Sequence, residues 1–163
     1  MKLKSLADLY TYELRDLYSA EVQLTKALPK LAENASSPEL RRALEQHLEE
    51  TRTQVQRLET IFNSLGERPG GEKCEAMEGL VSEGEELLDE EGEPEVIDAG
   101  IIVAAQKVEH YEIAGYGSMV AFARTLGRDE DAAMLQETLD EEKKADRTLT
   151  EIAERAVNKQ CAP

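Results

Sequence analysis

Two glutamates lie three residues apart in the middle of an apolar helical row, an unfavourable position for charge. Positions i and i+3 share one face of a helix, so Glu112 points inward and Glu109 flanks it. A buried carboxylate without a partner is costly and tends to become neutral, so its environment must supply compensation. The row has the spacing of a core face and reads Ile101, Ala105, Val108, Glu112, Met119, Phe122.

Three further predicted helices carry the same anomaly near mid-length. Glu21 falls within an apolar leucine row. The inward row of the second helix, apolar at both ends, has a polar middle of His47, Glu50 and Gln54, and that of the last helix contains Glu142 and Asp146. Four predicted helices therefore each place polar or acidic residues on the face that should be buried.

The positions of the turns test whether these acids face one another. In an antiparallel helical hairpin, residues equidistant from the turn lie at the same height. The midpoint of Glu21 and Glu50 falls in the turn at 35–36, and the midpoint of Glu112 and Glu142 falls on Gly127. The Glu109 and Asp146 pair gives the same turn, which places all the inward acids at mid-height.

A bundle of these hairpins would therefore gather up to six carboxylates, whose repulsion calls for cations. Two divalent ions, iron or manganese, are the natural compensation, because helical bundles with this side-chain supply bind such pairs. His47 and Gln54 are weaker candidate ligands. The sequence fits a hydrogen-bonded core histidine at position 47 as well as it fits a metal ligand. His110 lies on the flank and is not expected to bind metal. The predicted metal ligands are Glu21, Glu50, Glu109, Glu112, Glu142 and Asp146.

The elements that must position these residues are helices. Helical periods, caps and Gly/Pro stops predict helices at about 5–33, 38–65, 75–91, 95–126 and 129–157 in one domain of residues 1–163. Segment 75–91 is short, acidic and weakly amphipathic. It is expected to lie within a long crossover connection, which makes the helix at 95–126 run parallel to that at 38–65. The predicted fold is an all-α four-helix bundle with one long crossover carrying a short extra helix.

Composition limits the possible partners. The formal net charge of −16 argues against nucleic-acid binding, which needs clustered Lys and Arg. No apolar run is long enough for a membrane span, and the N-terminus has no secretory pattern. Cys74 and Cys161 match neither a zinc nor a disulfide pattern and are expected to be free thiols. The sequence therefore favours a cytoplasmic protein that binds neither nucleic acid nor membranes.

Several strings resemble the YciE/YciF family of bacterial stress proteins, within the ferritin-like superfamily. The strings are Tyr18–Thr25, His47–Thr51, Lys73–Leu80, Ala104–Ala114 and Glu137–Lys143. The resemblance implies a ferritin-like dimetal bundle that forms a homodimer, with ferroxidase activity as a function suggested within the family.

One departure from the wider superfamily leaves two functions open. The usual Glu-x-x-His motif is absent, because Leu44 precedes His47 by three residues and Lys107 precedes His110 by three. Ligation would then be mostly through oxygen, which suits Mn and Mg as well as Fe. One hypothesis is a dimetal stress protein that oxidises iron or removes oxidants. The alternative is a non-catalytic dimeric helical protein whose metals are structural, and an iron-storage cage is a weaker third.

Overall fold

Helices account for most of residues 3–161, the part of the chain that the computed structural model describes. Within that range there is no β-strand, so the all-α prediction is confirmed. No helix in this part of the chain combines the length and hydropathy that a membrane span requires. The elements are α1 (Leu6–Asn34), α2 (Pro38–Leu65), α3 (Glu75–Leu88), α4 (Pro94–Thr125), α5 (Asp129–Ile152), a π-helical turn (Ala153–Val157) and α6 (Asn158–Cys161).

Local capping explains where the long helices begin. The Asp8 amide donates to Ser5 Oγ at 3.2 Å, and the Leu40 amide donates to Ser37 Oγ at 3.3 Å. Glycines with positive φ, Gly66 and Gly127, follow α2 and the Leu126 cap of α4. Each hairpin is thus bounded by its own sequence signals.

The predicted end of the crossover helix was wrong. Helix α3 ends at Leu88 rather than near residue 91, where an acidic run leads to Pro94. Arg128 precedes α5 as its cap residue, so the Asp129 carboxylate lies in the first turn, where the helix dipole favours it. Pro29 lies within α1, which continues to Asn34.

The chain forms two helical hairpins joined by a crossover. Helix α1 packs mainly on α2, helix α4 packs mainly on α5, and α3 packs across α4 and α1. Near the start of α4, Asp98 accepts hydrogen bonds from the amides of Ser36 and Ser37 in the α1–α2 turn. The first residues of α4 and α2 therefore lie at the same end of the bundle, and the predicted parallel arrangement of these two helices is confirmed.

The apolar core consists of two clusters. One surrounds the α1–α2 turn and includes Leu24, Leu28, Leu40, Leu44, Ile101, Ile102 and Leu149. The other lies at the opposite end of the bundle and includes Tyr10, Leu14, Leu58, Ile61, Phe62, Met119 and Leu135. Buried polar side chains lie between the two clusters, at the mid-height that the turn midpoints indicated.

Gly115 allows α1 and α4 to approach closely. A Cβ atom added at Gly115 would lie 2.8 Å from Leu17 Cδ2, whereas one added at Gly117 would meet nothing within 4 Å. Close packing therefore accounts for Gly115, and nothing in the structure explains Gly117.

Candidate metal centre

Four buried side chains from three helices offer ligand atoms that lie within 4.8 Å of one another. They are His47 from α2, Glu109 and Glu112 from α4, and Glu142 from α5. Glu109 and Glu112 come together because three residues in a helix bring side chains back to the same face. Glu112 and Glu142 meet, as their common distance from Gly127 indicated.

Glu21 supplies a fifth side chain, from α1. It is fully buried, and its carboxyl group is close enough to those of Glu112 and Glu142 to change their electrostatic environment. The hydroxyl of Tyr116 donates a hydrogen bond to Glu21 Oε1. We call these five side chains the acidic layer: Glu21, His47, Glu109, Glu112 and Glu142.

Much of the hydrogen-bonding capacity of the acidic layer is unused. A buried polar atom without a partner costs about 1–3 kcal/mol, and more when the group is charged. Within the acidic layer, the unpartnered buried atoms are Oε2 of Glu21, both ring nitrogens of His47, Oε2 of Glu109, both carboxylate oxygens of Glu112 and Oε2 of Glu142. The carboxylate oxygens and, in the neutral imidazole, one ring nitrogen of His47 have the lone pairs that a cation needs.

The carboxyl groups respond to one another as well as to burial. Burial raises the pKa of Glu112 well above its ordinary value, and the charges of Glu21 and Glu142 raise this pKa further. Burial, followed by Glu142, likewise raises the pKa values of Glu21 and Glu109. Without a cation, burial and mutual repulsion therefore favour the protonated forms of these groups.

His47 lies at the edge of the acidic layer. Its Nε2 atom is 3.2 Å from Glu109 Oε1 and 3.7 Å from Glu142 Oε2, and its Nδ1 atom is 3.8 Å from Glu50 Oε2. None of these contacts has hydrogen-bond geometry. Burial lowers the pKa of His47, but the nearby carboxylates of Glu50 and Glu142 outweigh burial, and the net pKa is raised.

A polar network fixes the Glu142 carboxylate. Gln54 donates through Nε2 to Glu142 Oε1 at 2.5 Å and to Glu141 Oε2 at 3.0 Å. Both terminal nitrogens of Arg57 donate to Glu141, at 2.6 and 2.8 Å. Because the Gln54 amide donates to Glu142, this side chain orients that carboxylate, while its own Oε1 has no hydrogen-bond partner.

Two predicted ligands lie outside the acidic layer. Glu50 is at its edge, with a 17% exposed side chain that lies 3.5 Å from Lys144 Nζ, because Thr51 occupies the interior position of α2 instead. Asp146 accepts from Gln106 Nε2 at 3.0 Å and lies 3.3 Å from Nε2 of the exposed His110. Neither Glu50 nor Asp146 is therefore part of the acidic layer, although the charge of Asp146 contributes to the raised pKa of Glu109, and a ligand role for either residue stays a prediction.

Sequence reasoning missed two side chains of this region. Tyr116 was not among the predicted site residues, although it lies four positions after Glu112 and hence on the same helical face. Thr51 was not considered, although it follows His47 by four residues and its Oγ1 atom is buried without a partner. In both cases the i, i+4 spacing was the available signal.

The donor set suits hard divalent cations. Carboxylate oxygens with a single imidazole favour Mn and Fe(II) over softer ions, which prefer thiolates. Carboxylates from facing helices at the centre of a bundle are the arrangement that holds di-iron and di-manganese pairs. The fold and the site thus define a ferritin-like four-helix bundle with a carboxylate-rich centre.

Comparison with known proteins gives the family. Residues 5–162 match the model of a domain of unknown function, DUF892, and the chain belongs to this family. The chain is 46% identical over 160 residues to YciF of Escherichia coli K12, covering 98% of this chain and 96% of YciF. The resemblance to the YciE/YciF family is therefore confirmed.

Solved structures agree with the fold. The crystal structure of the E. coli stress protein YciF superimposes with a TM-score of 0.92 at 46% identity, covering 96% of this chain and 99% of that one. YcfI from Rhodopseudomonas palustris, for which a structural role has been suggested, gives a TM-score of 0.88 at 44% identity, covering 91% and 95%.

Proposed function

We propose that this chain is a stress protein that binds two divalent metal ions, iron or manganese, and uses them to oxidise ferrous iron or to consume an oxidant. The observation that carries the proposal is the set of buried, unpartnered oxygen and nitrogen atoms in the acidic layer. A cation pair would partner these atoms and cancel the repulsion that raises the pKa values of Glu21, Glu109 and Glu112.

Each side chain of the acidic layer has a role in this proposal. Glu112 has both oxygens free and lies beside Glu142, so these two would hold the ions together with Glu21, Glu109 and His47. Tyr116 would keep the Glu21 carboxylate in place. Glu50 would reach the site from the edge, and Asp146 would add negative charge from the periphery. Bound ferrous ions would supply one electron each to an oxidant.

Anaerobic titration with Fe(II), and separately with Mn(II), tests this proposal. We expect about two ions per chain, and addition of oxygen or hydrogen peroxide to the ferrous protein should produce ferric absorbance. The Glu112→Gln variant should lose binding, whereas Glu130→Gln, an exposed change in the first turn of α5, should bind like the parent. Absence of stoichiometric binding would exclude the metal centre; binding without oxidant consumption would exclude the redox step.

A second candidate is a helical protein with structural metals. The suggested structural role of YcfI and the absence of a Glu-x-x-His motif favour it. A structural site should lose folding stability along with its metal, so metal removal by a chelator would then lower the unfolding temperature and expose apolar surface. A redox site in a bundle that folds without metal would lose oxidation while keeping its helical content.

Assembly and location are also proposals. We infer a homodimer, as the family resemblance implies, and a location in the cytoplasm, where unpaired cysteines such as Cys74 and Cys161 are common. Light scattering coupled to size-exclusion chromatography would give the mass of the assembly.

A further inference from the structure

A recess of about 150 Å³ lies between α2 and α5 and ends at the acidic layer. His47 and Glu109 line its inner end, and both side chains are at least nine-tenths buried. Neither ring nitrogen of His47 has a hydrogen-bond partner, nor does Glu109 Oε2. We call it the His47 recess.

The walls of the His47 recess are mainly apolar, and its mouth is charged. Leu44, Ala145 and Leu149 contribute aliphatic surface. At the mouth, Lys144 Nζ lies 3.5 Å from Glu50 Oε1, so the two charges largely compensate each other. A molecule that enters therefore passes from a neutralised ion pair to hydrocarbon and then to unpartnered polar atoms.

This sequence of surfaces selects the kind of molecule that can bind. A hydrated cation would lose water against aliphatic walls, which is costly without polar partners. An anion would meet the carboxylates at the inner end, which repel it. A neutral molecule with one polar end can pack its apolar part against the aliphatic walls and place its polar end at the unpartnered atoms of the inner end.

The volume of the His47 recess limits the size of the molecule that can bind there. Water occupies about 30 Å³ in the liquid, and an apolar cavity of about 150 Å³ can bind a molecule as large as benzene. Dioxygen and hydrogen peroxide would leave most of the aliphatic wall uncovered. A short hydrocarbon substituent would fill the His47 recess.

We propose that the His47 recess binds a small organic hydroperoxide, with its hydrocarbon group against Leu44, Ala145 and Leu149 and its O–O group toward His47 and Glu109. This inference rests on the proposed dimetal function. Bound ferrous iron would supply the two electrons, with two Fe(II) oxidised to Fe(III). The O–O bond would break, and two protons from solvent would complete an alcohol and a water molecule, so atoms and electrons balance.

Binding can be measured without metal. The probe is tert-butanol, the alcohol that reduction of tert-butyl hydroperoxide would release, titrated into the metal-free full chain carrying ¹³C-labelled methyl groups. We expect saturable shifts confined to the Ala43, Leu44, Ala145 and Leu149 methyls. The Ala145→Leu variant fills the recess and should abolish them, while Ala133→Leu, at an exposed position of the same helix, should retain them.

Reduction is measured on the ferrous-loaded protein. Ala145→Leu should slow iron oxidation by tert-butyl hydroperoxide at least about tenfold while changing oxidation by hydrogen peroxide by no more than about twofold, because pocket size discriminates the two oxidants. Ala43→Leu, on the facing wall, gives an independent reading if Ala145→Leu does not fold.

The outcomes separate the two proposals. Absence of saturable tert-butanol shifts, or equal slowing of both oxidants by the filled recess, overturns the assignment of the recess. Failure of the parent protein to bind ferrous iron overturns the dimetal function and the reduction step with it, while the metal-free titration still decides whether the recess takes a small alcohol.

Discussion

The hydroxyl of Tyr116, on α4, donates a hydrogen bond to Glu21 Oε1, on α1. Both side chains are fully buried, and this bond joins helices from different hairpins at the edge of the acidic layer. The other oxygen of Glu21 has no partner. Tyr116 therefore occupies Oε1 of Glu21 and leaves Oε2 free to bind a cation.

The Tyr116→Phe variant should destabilise the metal-free protein. Both Glu21 oxygens would then be buried without a donor, which costs about 1–3 kcal/mol in the free energy of unfolding by urea. Tyr18→Phe is the matched control, because Tyr18 donates at 3.2 Å to Glu59 from a more exposed position and should cost less than about 1 kcal/mol. Equal losses in the two variants would contradict the role assigned to Tyr116.

The two histidines should differ in their effect on metal binding. His47→Gln should weaken Mn(II) or Fe(II) affinity about 10- to 100-fold, the range seen when groups that bind or orient a ligand are removed. His110→Gln should leave affinity nearly unchanged, since His110 is 69% exposed and contacts only the periphery through Asp146. Calorimetric titration measures both constants. A similar loss in both variants would show that the contribution of His47 is not local.

The metal-free protein should lose stability as the pH rises above neutrality. The pKa values of Glu21, Glu109 and Glu112 are raised in the folded state, so the folded chain holds protons that the unfolded chain releases near pH 4.3. Their stabilising contribution is complete below that pH and is lost as pH rises through the folded-state values. Urea unfolding in EDTA should have a lower midpoint at pH 8 than at pH 6.

Two further measurements accompany this pH series. Glu112→Gln should flatten the dependence, because one of the proton-holding groups is gone and repulsion on the others falls. Saturating metal should reverse it, since metal binds the deprotonated carboxylates and competes with protons. A metal-free midpoint that rises between pH 6 and pH 8 would be incompatible with protonated carboxyls in the folded protein.

The Asp98→Asn variant should destabilise the protein at the end of the bundle opposite to the Gly127 turn. Asp98 is buried and accepts from the Ser36 and Ser37 amides at 2.8 and 2.7 Å. An amide side chain cannot accept both bonds through two oxygens, so we expect a loss of about 2–4 kcal/mol in unfolding free energy. Glu95→Gln, exposed in the first turn of the same helix, should change stability by less than about 0.5 kcal/mol.

The fold could be predicted from sequence because its signals are local. Capping residues, glycine stops and a 3.6-residue period marked the long helices, and the length of the crossover indicated that α4 runs parallel to α2. The height of Glu112 and Glu142 followed from the distance of each to Gly127, since a hairpin with a short turn has little freedom of register.

Rotation of each helix about its own axis was less predictable. One residue turns a helix by about 100°. The prediction took Glu50 as the inward residue of α2, but in the structure Thr51 points inward and Glu50 lies at the edge of the site. Contacts between the two hairpins also could not be predicted from the sequence, because no short turn fixes the position of α2 relative to α4. The approach of His47 to Glu109 depends on how the two hairpins pack.

The acidic layer between the two apolar clusters also constrains the alignment of the helices. Sliding one helix past its neighbours by one turn, about 5.4 Å, would bring leucines to the height of the carboxylates and carboxylates against leucines. Such an alignment would bury each carboxyl group among hydrocarbon, away from polar partners. The acidic layer thus lowers the stability of the metal-free protein but fixes the register of the helices, because it excludes the shifted bundles that a continuous leucine core would tolerate.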